Sequence, residues 1–437
     1  MKIVFYSTNS NLFDPSTYKL KVQPSNEEQF KDFQKAHPEH TFICVSQFPA
    51  SFMPEESTIL LDKNLDAQNF AQELEKMNPD MAIPMSFWVE PFDWLSVNDA
   101  LVGQYLEKKG IKCLYHSLET ALTCFDKYRT QQKLLQEDFN IAKGVFVDHD
   151  LYFCAGSHKN VISNVYKASI RSQLEKLNLP LIIKDTVGLS SYGMTVVHTY
   201  GEALCYLNSK RNNSNRIVQE YIQGKQYGVE IYGCPGNYHI FPLFEFTLNQ
   251  YGISSPKLSK KNGPFHVDNE LQKILISLAE KMRFCGIAQI DLIFSDNKWY
   301  IIEINPRLNG MTYTNCAYLR KSVFDLLYDF CIIPFKKRLA KQNDDVSGTI
   351  CISEMTELSD FGSNKLLNVK LPILSSKKLA ELKKIDGVKI LNQTNNKEAK
   401  QKREKGFCEC IIVDENELKL EQTFEKIKII CTNSSTE

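Results

Sequence analysis

The sequence predicts an α/β domain at the N-terminus followed by an α+β region, and three observations lead to this fold class. Over residues 1–115 short apolar runs alternate with helical patterns, which is typical of a doubly wound parallel sheet covered by helices. From residue 181 onwards several strand-like runs follow one another through short turns, which is typical of an antiparallel sheet. The chain has 437 residues, and at about 150 residues per domain this length predicts roughly three domains.

The N-terminal region predicts four strands with helices between them. Strands are predicted near residues 3–6, 42–45, 81–84 and 111–114, and helices near residues 27–35, 67–77 and 98–109. No glycine-rich turn follows the first strand, where Tyr6-Ser7-Thr8-Asn9 stands instead. The sequence therefore argues against a dinucleotide-binding domain.

The middle region changes from helical to strand periodicity. Helices are predicted over residues 119–139, 161–177 and 269–284, and strands over residues 145–147, 181–184, 194–197, 217–221, 227–232, 238–246, 288–294 and 299–304. The last two strands form a predicted hairpin turned by Ser295-Asp296-Asn297-Lys298.

A polar stretch from Lys336 to Asp345 predicts a connection to a smaller C-terminal α+β piece. Strands are expected in that piece near residues 349–352, 388–391 and 407–413. The expected domains are thus 1–115, 116–335 and 336–437.

Composition excludes several classes of protein. Lys plus Arg and Asp plus Glu both number 52, so no net positive charge favours a nucleic-acid partner. No apolar run approaches the roughly 18 residues of a spanning helix, and no membrane partner is expected. The balanced charge favours a small-molecule partner. The thirteen cysteines contain no CxxC pair, which argues against a zinc ribbon and favours a reduced, cytoplasmic protein.

The segment Ile301-Ile302-Glu303-Ile304-Asn305-Pro306-Arg307 is the most informative part of the chain. Alternate residues of a strand share one face, so Glu303 and Asn305 lie together, and Asp291 comes from the neighbouring strand of the predicted hairpin. Such oxygen ligands suit Mg²⁺ that is also held by phosphate. Arg307, just past Pro306, is then placed to bind a phosphoryl or tetrahedral oxyanion.

Two further segments can contact a nucleotide. The strand ending in Lys184 runs into a Gly/Ser turn that includes Ser190 and Ser191, an arrangement able to bind phosphate although it is not a P-loop. The strand from Val218 to Ile222 breaks at Gly224 and resumes, which can present backbone groups to a purine edge and a polar side chain to ribose.

In this order and spacing the three segments resemble the ATP-grasp superfamily over about residues 115–335. The resemblance implies that ATP lies between two α+β lobes, that a carboxylate is phosphorylated to an acyl phosphate, and that a nucleophile then displaces phosphate. It assigns Arg307 to catalysis and Asp291, Glu303 and Asn305 to Mg²⁺, with Mn²⁺ as an alternative ion. It assigns ATP contacts to Lys127, Lys184, Ser190, Ser191, Gln219, Glu220, Tyr221, Ile222 and Gln226.

Two positions depart from the family pattern. Gln226 stands where many relatives place a Glu on the ribose hydroxyls, and Asp291 replaces the more common Glu among the metal ligands. Glu230 and Glu245 are also expected to point toward the cleft if the strand register holds.

Within the superfamily the pattern looks most like the L-amino-acid and dipeptide ligases. The implied function is an ADP-forming carboxylate–amine ligase that acts on small carboxylates and amines, amino acids among them. The alternatives are a biotin-carboxylase-like enzyme, a purine-pathway ligase, and a nucleotide-binding module without catalysis. A homodimer is left open as the assembly.

Overall fold

The structure is a computed structural model, and it describes residues 1–8, 18–22, 26–47, 58–86, 95–154, 164–187, 194–246, 260–344, 365–394 and 408–432. Within these ranges the strands form three sheets of five, four and ten strands. The predicted strand at residues 349–352 lies outside the described residues.

The N-terminal sheet is parallel, as predicted. Its strands are β1 (Lys2–Ser7), β3 (Thr41–Ser46), β4 (Thr58–Leu60), β5 (Met81–Pro84) and β6 (Lys112–Cys113), and its helices are α1 (Asn26–Ala36), α2 (Ala67–Lys76) and α3 (Leu95–Lys108). The strand order is β4-β3-β1-β5-β6, so the chain winds to one side of β1 and then to the other. The carboxyl ends of β1 and β5 therefore form the switch point of the sheet, where parallel sheets commonly bind ligands.

The prediction of a single helix over residues 119–139 is wrong. The structure has two helices there, α4 (Leu118–Phe125) and α5 (Lys127–Gln136). Asp126 between them is extended, and its carboxylate accepts hydrogen bonds from the backbone N–H groups of Tyr128 and Arg129 at 2.8 and 3.0 Å. An aspartate that caps the second helix in this way ends the first one.

The second sheet is antiparallel and small. Its strands are β7 (Gly144–Val147), β8 (Leu181–Asp185), β9 (Thr195–Val197) and β10 (Arg216–Glu220), in the order β7-β10-β8-β9. The helices α6 (His149–Phe153), α7 (Val165–Leu174) and α8 (Tyr200–Asn208) accompany these strands in sequence. The side chains of Val145, Ile183 and Val218 pack with those of Ile170 and Leu207 in one apolar cluster.

The third sheet is the largest, and it runs from the middle of the chain into the C-terminal region. Its strands are β2 (Tyr18–Val22), β11 (Lys225–Cys234), β12 (Asn237–Ile240), β13 (Leu243–Phe246), β14 (Lys260–Phe265), β15 (Gly286–Ser295), β16 (Lys298–Asn305), β17 (Lys365–Leu371), β18 (Val388–Thr394) and β19 (Cys408–Asp414). The order is β16-β15-β11-β13-β14-β17-β19-β18-β2, with β12 on β11. The C-terminal strands thus extend the sheet of the middle region, while the predicted domain boundaries stay predictions.

The predicted single strand over residues 238–246 is wrong, because β12 and β13 are separate. Both strands pair with β11, and Phe241 and Pro242 lie between them. Proline has no N–H to donate to a ladder, so a strand boundary at Pro242 follows from the sequence.

Helix α9 (Asn269–Met282) covers one face of the third sheet. Val229, Ile231, Ile290, Leu292 and Ile304 pack with its leucines in an apolar cluster. Because strand residues alternate between faces, the intervening residues of β11, β15 and β16 occupy the opposite face.

Helices α10 (Thr312–Leu319), α11 (Val323–Leu327) and α12 (Ile333–Asp344) follow β16, with a π-helical turn at Tyr328–Ile332. The predicted polar connection from Lys336 is helical as far as Asp344, since these residues belong to α12. Helices α13 (Ser376–Leu382) and α14 (Glu417–Thr432) complete the described elements. No helix within the described ranges is long and apolar enough to span a bilayer.

Candidate active site

The predicted metal ligands lie together on the face of the third sheet opposite α9. Asp291 of β15 pairs with Glu303 of β16, and Gln289 pairs with Asn305, so the two acids and the amide share one face. A bulge at Ile302 interrupts the register next to Glu303, and bulges commonly redirect side chains beside active sites. Two carboxylates and an amide oxygen fit a magnesium ion whose remaining ligands are phosphate oxygens and water.

Among the described residues no group of three or more His, Cys, Asp or Glu side chains could hold a metal. The candidate site has only two such ligands, Asp291 and Glu303, with Asn305 as the third. It therefore fits an ion that arrives with nucleotide phosphates better than an ion held by protein alone.

Lys127 contacts this acidic face from the first turn of α5. Its Nζ lies 3.2 Å from Glu303 Oε1, and its backbone N–H donates to the Thr186 carbonyl at 2.7 Å, next to the end of β8. Burial acts to raise the pKa of Glu303, but the positive charges of Lys127, Lys184 and Arg307 outweigh it and lower the pKa. Glu303 is thus held as a carboxylate, the form that binds a metal.

Lys184 of β8 faces the same acids from the second sheet. Its side chain is buried, and burial is the main reason that its pKa falls to about 8, with the nearby Lys127 adding to the fall. The charges of Glu303 and Asp291 oppose the fall. Two lysines and two carboxylates therefore meet between the second and third sheets, as a site for phosphates with a metal requires.

Arg307 lies just beyond the metal-ligand strand. Its Nη2 donates to Asn305 Oδ1 at 3.1 Å, and its backbone N–H donates to the Asn305 carbonyl at 2.9 Å. The guanidinium is half-buried at the end of the row that holds Glu303 and Asn305. A donor group held there can bind an oxyanion next to the bound phosphate.

The predicted adenine segment joins the two sheets. The side chains of Gln219 and Glu220 bind protein groups: Gln219 is buried between β7 and β8, and Glu220 Oε1 accepts from the backbone and side-chain N–H groups of Asn178 at 2.9 and 3.0 Å. The N–H groups of Glu220 and Tyr221 donate to the carbonyls of Lys143 and Pro180. These contacts occupy the side chains of Gln219 and Glu220, and the nucleotide contacts expected of this segment, chiefly from its backbone, stay a prediction.

The chain beyond Tyr221 remains the candidate for contact with the base. Tyr221 and Ile222 are half-buried. At Gly224 an added Cβ would lie 2.3 Å from the Phe294 carbonyl oxygen, so only glycine allows this crossing between the sheets. Gln226 follows on β11, on the face that carries Asp291.

Three other residues were expected at the site. Ser190 and Ser191 lie outside the described residues. Glu245 is bound by Lys225, whose Nζ lies 3.3 Å from Glu245 Oε2.

Glu230 lies on the sheet face that carries Asp291, as the strand register predicts, but it is fully buried and bound by protein groups. Its carboxylate accepts hydrogen bonds from Tyr232, Asn309, Thr312 and Asn315. The sequence did not indicate this network, because three of the donors lie about 80 residues further along the chain.

The sequence also did not indicate a pocket at the switch point of the first sheet. Ser86, Asp99, His116, Arg307 and Leu308 are among its lining residues. His116 is buried, and its Nε2 lies 2.8 Å from the Ile287 carbonyl oxygen, which joins the N-terminal region to β15. A signal for Asp99 was present, because this acid lies on the apolar face of α3 with Val102 and Leu106.

Comparison with known proteins agrees with this geometry. A family model described as an ATP-grasp domain matches residues 124–311. A D-alanine–D-alanine ligase from Buchnera aphidicola is 23% identical over 250 residues, which cover 55% of this chain and 77% of the relative.

Solved structures extend the similarity over nearly the whole chain. An L-amino acid ligase from Bacillus licheniformis has a TM-score of 0.65 at 14% identity and covers 98% of this chain and 96% of its own. An N5-carboxyaminoimidazole synthetase from Staphylococcus aureus, complexed with ADP, has a TM-score of 0.61 at 13% identity with the same coverage. These similarities confirm the predicted fold. The relatives named as ligases belong to the class of enzyme that the sequence predicts. Residues 124–311, which carry the candidate site, thus match the ATP-grasp domain family.

Proposed function

We propose that the chain is an ATP-dependent carboxylate–amine ligase that forms an amide bond through an acyl phosphate and releases ADP and phosphate. The observation that carries the proposal is that Lys127 and Lys184 face the carboxylates of Asp291 and Glu303. Arg307 lies just beyond the strand that carries Glu303. The ligases among its relatives support the same class of reaction.

In this proposal the basic residues bind phosphate and the oxygen ligands bind the metal. Lys127 and Lys184 bind the phosphates of ATP, while Asp291, Glu303 and Asn305 hold Mg²⁺. A magnesium ion held by these residues would neutralise phosphate charge and so lower the repulsion that a substrate carboxylate meets. A metal held by Glu303 would compete with the contact between Glu303 and Lys127, and the Lys127 ammonium would then be available to bind phosphate.

Arg307 serves both chemical steps. A carboxylate oxygen of the first substrate attacks the γ-phosphorus, and the bond to the ADP oxygen breaks. A neutral amine then attacks the acyl carbon, loses a proton and expels phosphate. Arg307 stabilises the transferred phosphoryl group and the tetrahedral oxyanion, and no nucleophile from the protein is needed.

The pocket beside Arg307 is our candidate for the acyl substrate. It lies at the carboxyl ends of β1 and β5 and has polar groups from Ser86 and Asp99 beside apolar walls from Ile83 and Leu308. Its position next to Arg307 would bring a substrate carboxylate to the phosphoryl group.

The proposal is tested by ADP release with paired carboxylates and amines, starting with amino acids. We expect ADP only when both substrates are present. With an ¹⁸O-labelled carboxylate, one labelled oxygen should appear in the released phosphate, as an acyl phosphate requires. Release of AMP and pyrophosphate would contradict the proposal.

A second candidate reaction has bicarbonate as the carboxylate. The similarity to the N5-carboxyaminoimidazole synthetase supports it. ADP release that depends on bicarbonate and not on organic acids would select this reaction instead.

Substitution of Arg307 tests the assigned role. We expect Arg307→Ala to lower kcat at least about 100-fold, the scale for removal of one oxyanion donor, while ADP affinity measured by calorimetry changes little. Arg320→Ala is the matched control, because Arg320 is largely exposed and lies near Glu415. Equal activity of both variants would remove Arg307 from the mechanism.

A further inference from the structure

We propose that Glu230 is a positioning residue for Arg307, acting through only one of its two carboxylate oxygens. The assignment rests on the proposed role of Arg307 in phosphoryl transfer. Glu230 itself is fully buried and is not among the residues that line the pocket. It acts on the loop from Arg307 to Thr312, which joins β16 to α10.

The oxygen Oε1 holds this loop. It accepts hydrogen bonds from Asn309 Nδ2 and Thr312 Oγ1, both at 2.7 Å. Asn309 Nδ2 also donates to the backbone carbonyl of Arg307 at 3.0 Å, so one amide group connects Glu230 to the arginine. The Thr312 hydroxyl in turn accepts from the Asn309 N–H at 3.2 Å. Oε1 thus fixes the backbone from which the guanidinium extends.

The oxygen Oε2 binds the protein core instead. It accepts from the Tyr232 hydroxyl at 2.8 Å and from Asn315 Nδ2 at 2.6 Å. The Tyr232 ring stacks on Phe241 with centroids 4.0 Å apart, and Asn315 lies in the second turn of α10. These contacts support packing and do not reach the arginine.

The network is rigid because the carboxylate is buried. Burial raises the pKa of Glu230, while hydrogen bonds from Thr312, Asn315, Tyr232 and Asn309 act in the opposite direction. None of the ion pairs between described residues includes Glu230, so neutral donors alone solvate it. Movement of the loop would remove two of four donors from a buried carboxylate, a costly change. Arg307 is therefore held in place before the phosphate arrives.

The two oxygens allow a matched test, since one hydroxyl can be deleted on each side. Thr312→Val removes a donor from Oε1, and Tyr232→Phe removes a donor from Oε2. We expect Thr312→Val to lower kcat about 10- to 100-fold, as expected for a displaced catalytic group, with little change in the KM for ATP. Tyr232→Phe should lower the Tm about as much as Thr312→Val does, but its kcat should stay within about twofold of the wild-type value. Thr312→Ser, which keeps the hydroxyl, should restore kcat.

A binding measurement separates this inference from the proposed function. Aluminium fluoride added to ADP and Mg²⁺ imitates the transferred phosphoryl group. The further rise in Tm that it gives over ADP and Mg²⁺ should be lost in Arg307→Ala and Thr312→Val and kept in Tyr232→Phe. This readout requires no substrate, so it can succeed even if ADP release shows that the ligase proposal is wrong.

Two outcomes would overturn the positioning role. In one, Thr312→Val retains both the wild-type kcat and the aluminium fluoride response. In the other, Thr312→Val and Tyr232→Phe lose kcat and the aluminium fluoride response equally, in proportion to their loss of stability. The second result would assign Glu230 to packing alone.

Discussion

Asp99 shows how a single buried residue makes the protein sensitive to pH. Its Oδ1 accepts from the Thr8 hydroxyl at 2.8 Å and the Thr8 N–H at 3.4 Å, and its Oδ2 accepts from the Ser86 N–H at 3.3 Å. The carboxylate thereby connects the residues that follow the carboxyl ends of β1 and β5 at the pocket. Burial raises the pKa of Asp99 to about 6, while these hydrogen bonds limit the rise.

We predict that the Asp99 contribution to stability is lost as the pH rises. Because the folded-state pKa lies above the unfolded value of 3.8, the folded protein binds the proton more tightly than the unfolded chain. The contribution is therefore complete below about pH 4 and disappears through about pH 6. A shift of about two pKa units corresponds to about 3 kcal/mol at most.

Urea unfolding of the wild type and Asp99→Asn at pH 4, 5.5 and 7 measures this effect. The stability of Asp99→Asn relative to wild type should increase by about 2–3 kcal/mol between pH 4 and pH 7. Asp32→Asn is the control, since that carboxylate is largely exposed on α1. A difference between Asp99→Asn and wild type that is independent of pH would contradict the prediction.

At the residue scale the sequence predicted where side chains lie when their placement depends on local spacing. Strand alternation sufficed to bring Asp291, Glu303 and Asn305 to one face, because their pairing follows from a short hairpin. The bulge at Ile302 has no comparable signal. Glu230 could not be assigned a partner, since its donors Asn309 and Thr312 are distant in sequence.

At the scale of elements, α10 is held from both sides by buried polar contacts. Glu230 binds Thr312 and Asn315 from β11, as described above. From the C-terminal part of the sheet, Asn368 Nδ2 donates to Thr314 Oγ1 at 2.9 Å and to Glu409 Oε1 at 2.8 Å. Asn368 and Glu409 are both buried. The C-terminal strands thereby help to place the helix that follows the Arg307 loop.

We predict that Asn368→Ala destabilises the protein by about 1–3 kcal/mol, because it leaves Glu409 buried with fewer donors. A double-mutant cycle with Thr314→Val should give a coupling energy of about 0.5–1.5 kcal/mol. Urea unfolding of the wild type, both single variants and the double variant gives all four values. Strict additivity would show that the Asn368–Thr314 bond does not contribute to stability.

The elements were predictable where local chemistry determines them. The hairpin turn is an example: Asp296 and Asn297 have φ of 48° and 57°, which suits the short polar residues of a tight hairpin. Asp126 and Pro242 carried signals for boundaries that the periodicity alone concealed. The pairing of β2 with β18 had no local signal, because it joins residues 18–22 to residues 388–394.

At the scale of the whole molecule, one apolar cluster joins regions that the sequence suggested were separate. Phe5 of β1, Phe244 of β13 and Phe324 of α11 belong to it, as do Leu366 of β17 and Ile411 of β19. All five side chains are almost completely buried. The third sheet also continues without interruption from β14 to β17. The C-terminal strands therefore contribute to the core that supports residues 124–311, the segment that matches the ATP-grasp family model.

We predict that residues 124–311, the segment that matches the ATP-grasp family model, do not fold stably without these strands. Removal of residues 365–437 exposes the edge of β14 and takes Leu366, Ile411 and Val413 out of the shared cluster. Burial of each such side chain is worth about 1.5–3 kcal/mol, and together they approach the 5–15 kcal/mol that stabilises a typical protein. The shortened chain should lose its cooperative thermal transition and its affinity for ADP. A chain ending at Thr432 is the control, and it should unfold as the full chain does. A shortened chain that unfolds cooperatively and binds ADP normally would instead show that the C-terminal strands form an independent unit, and that the placement of Arg307 does not depend on them.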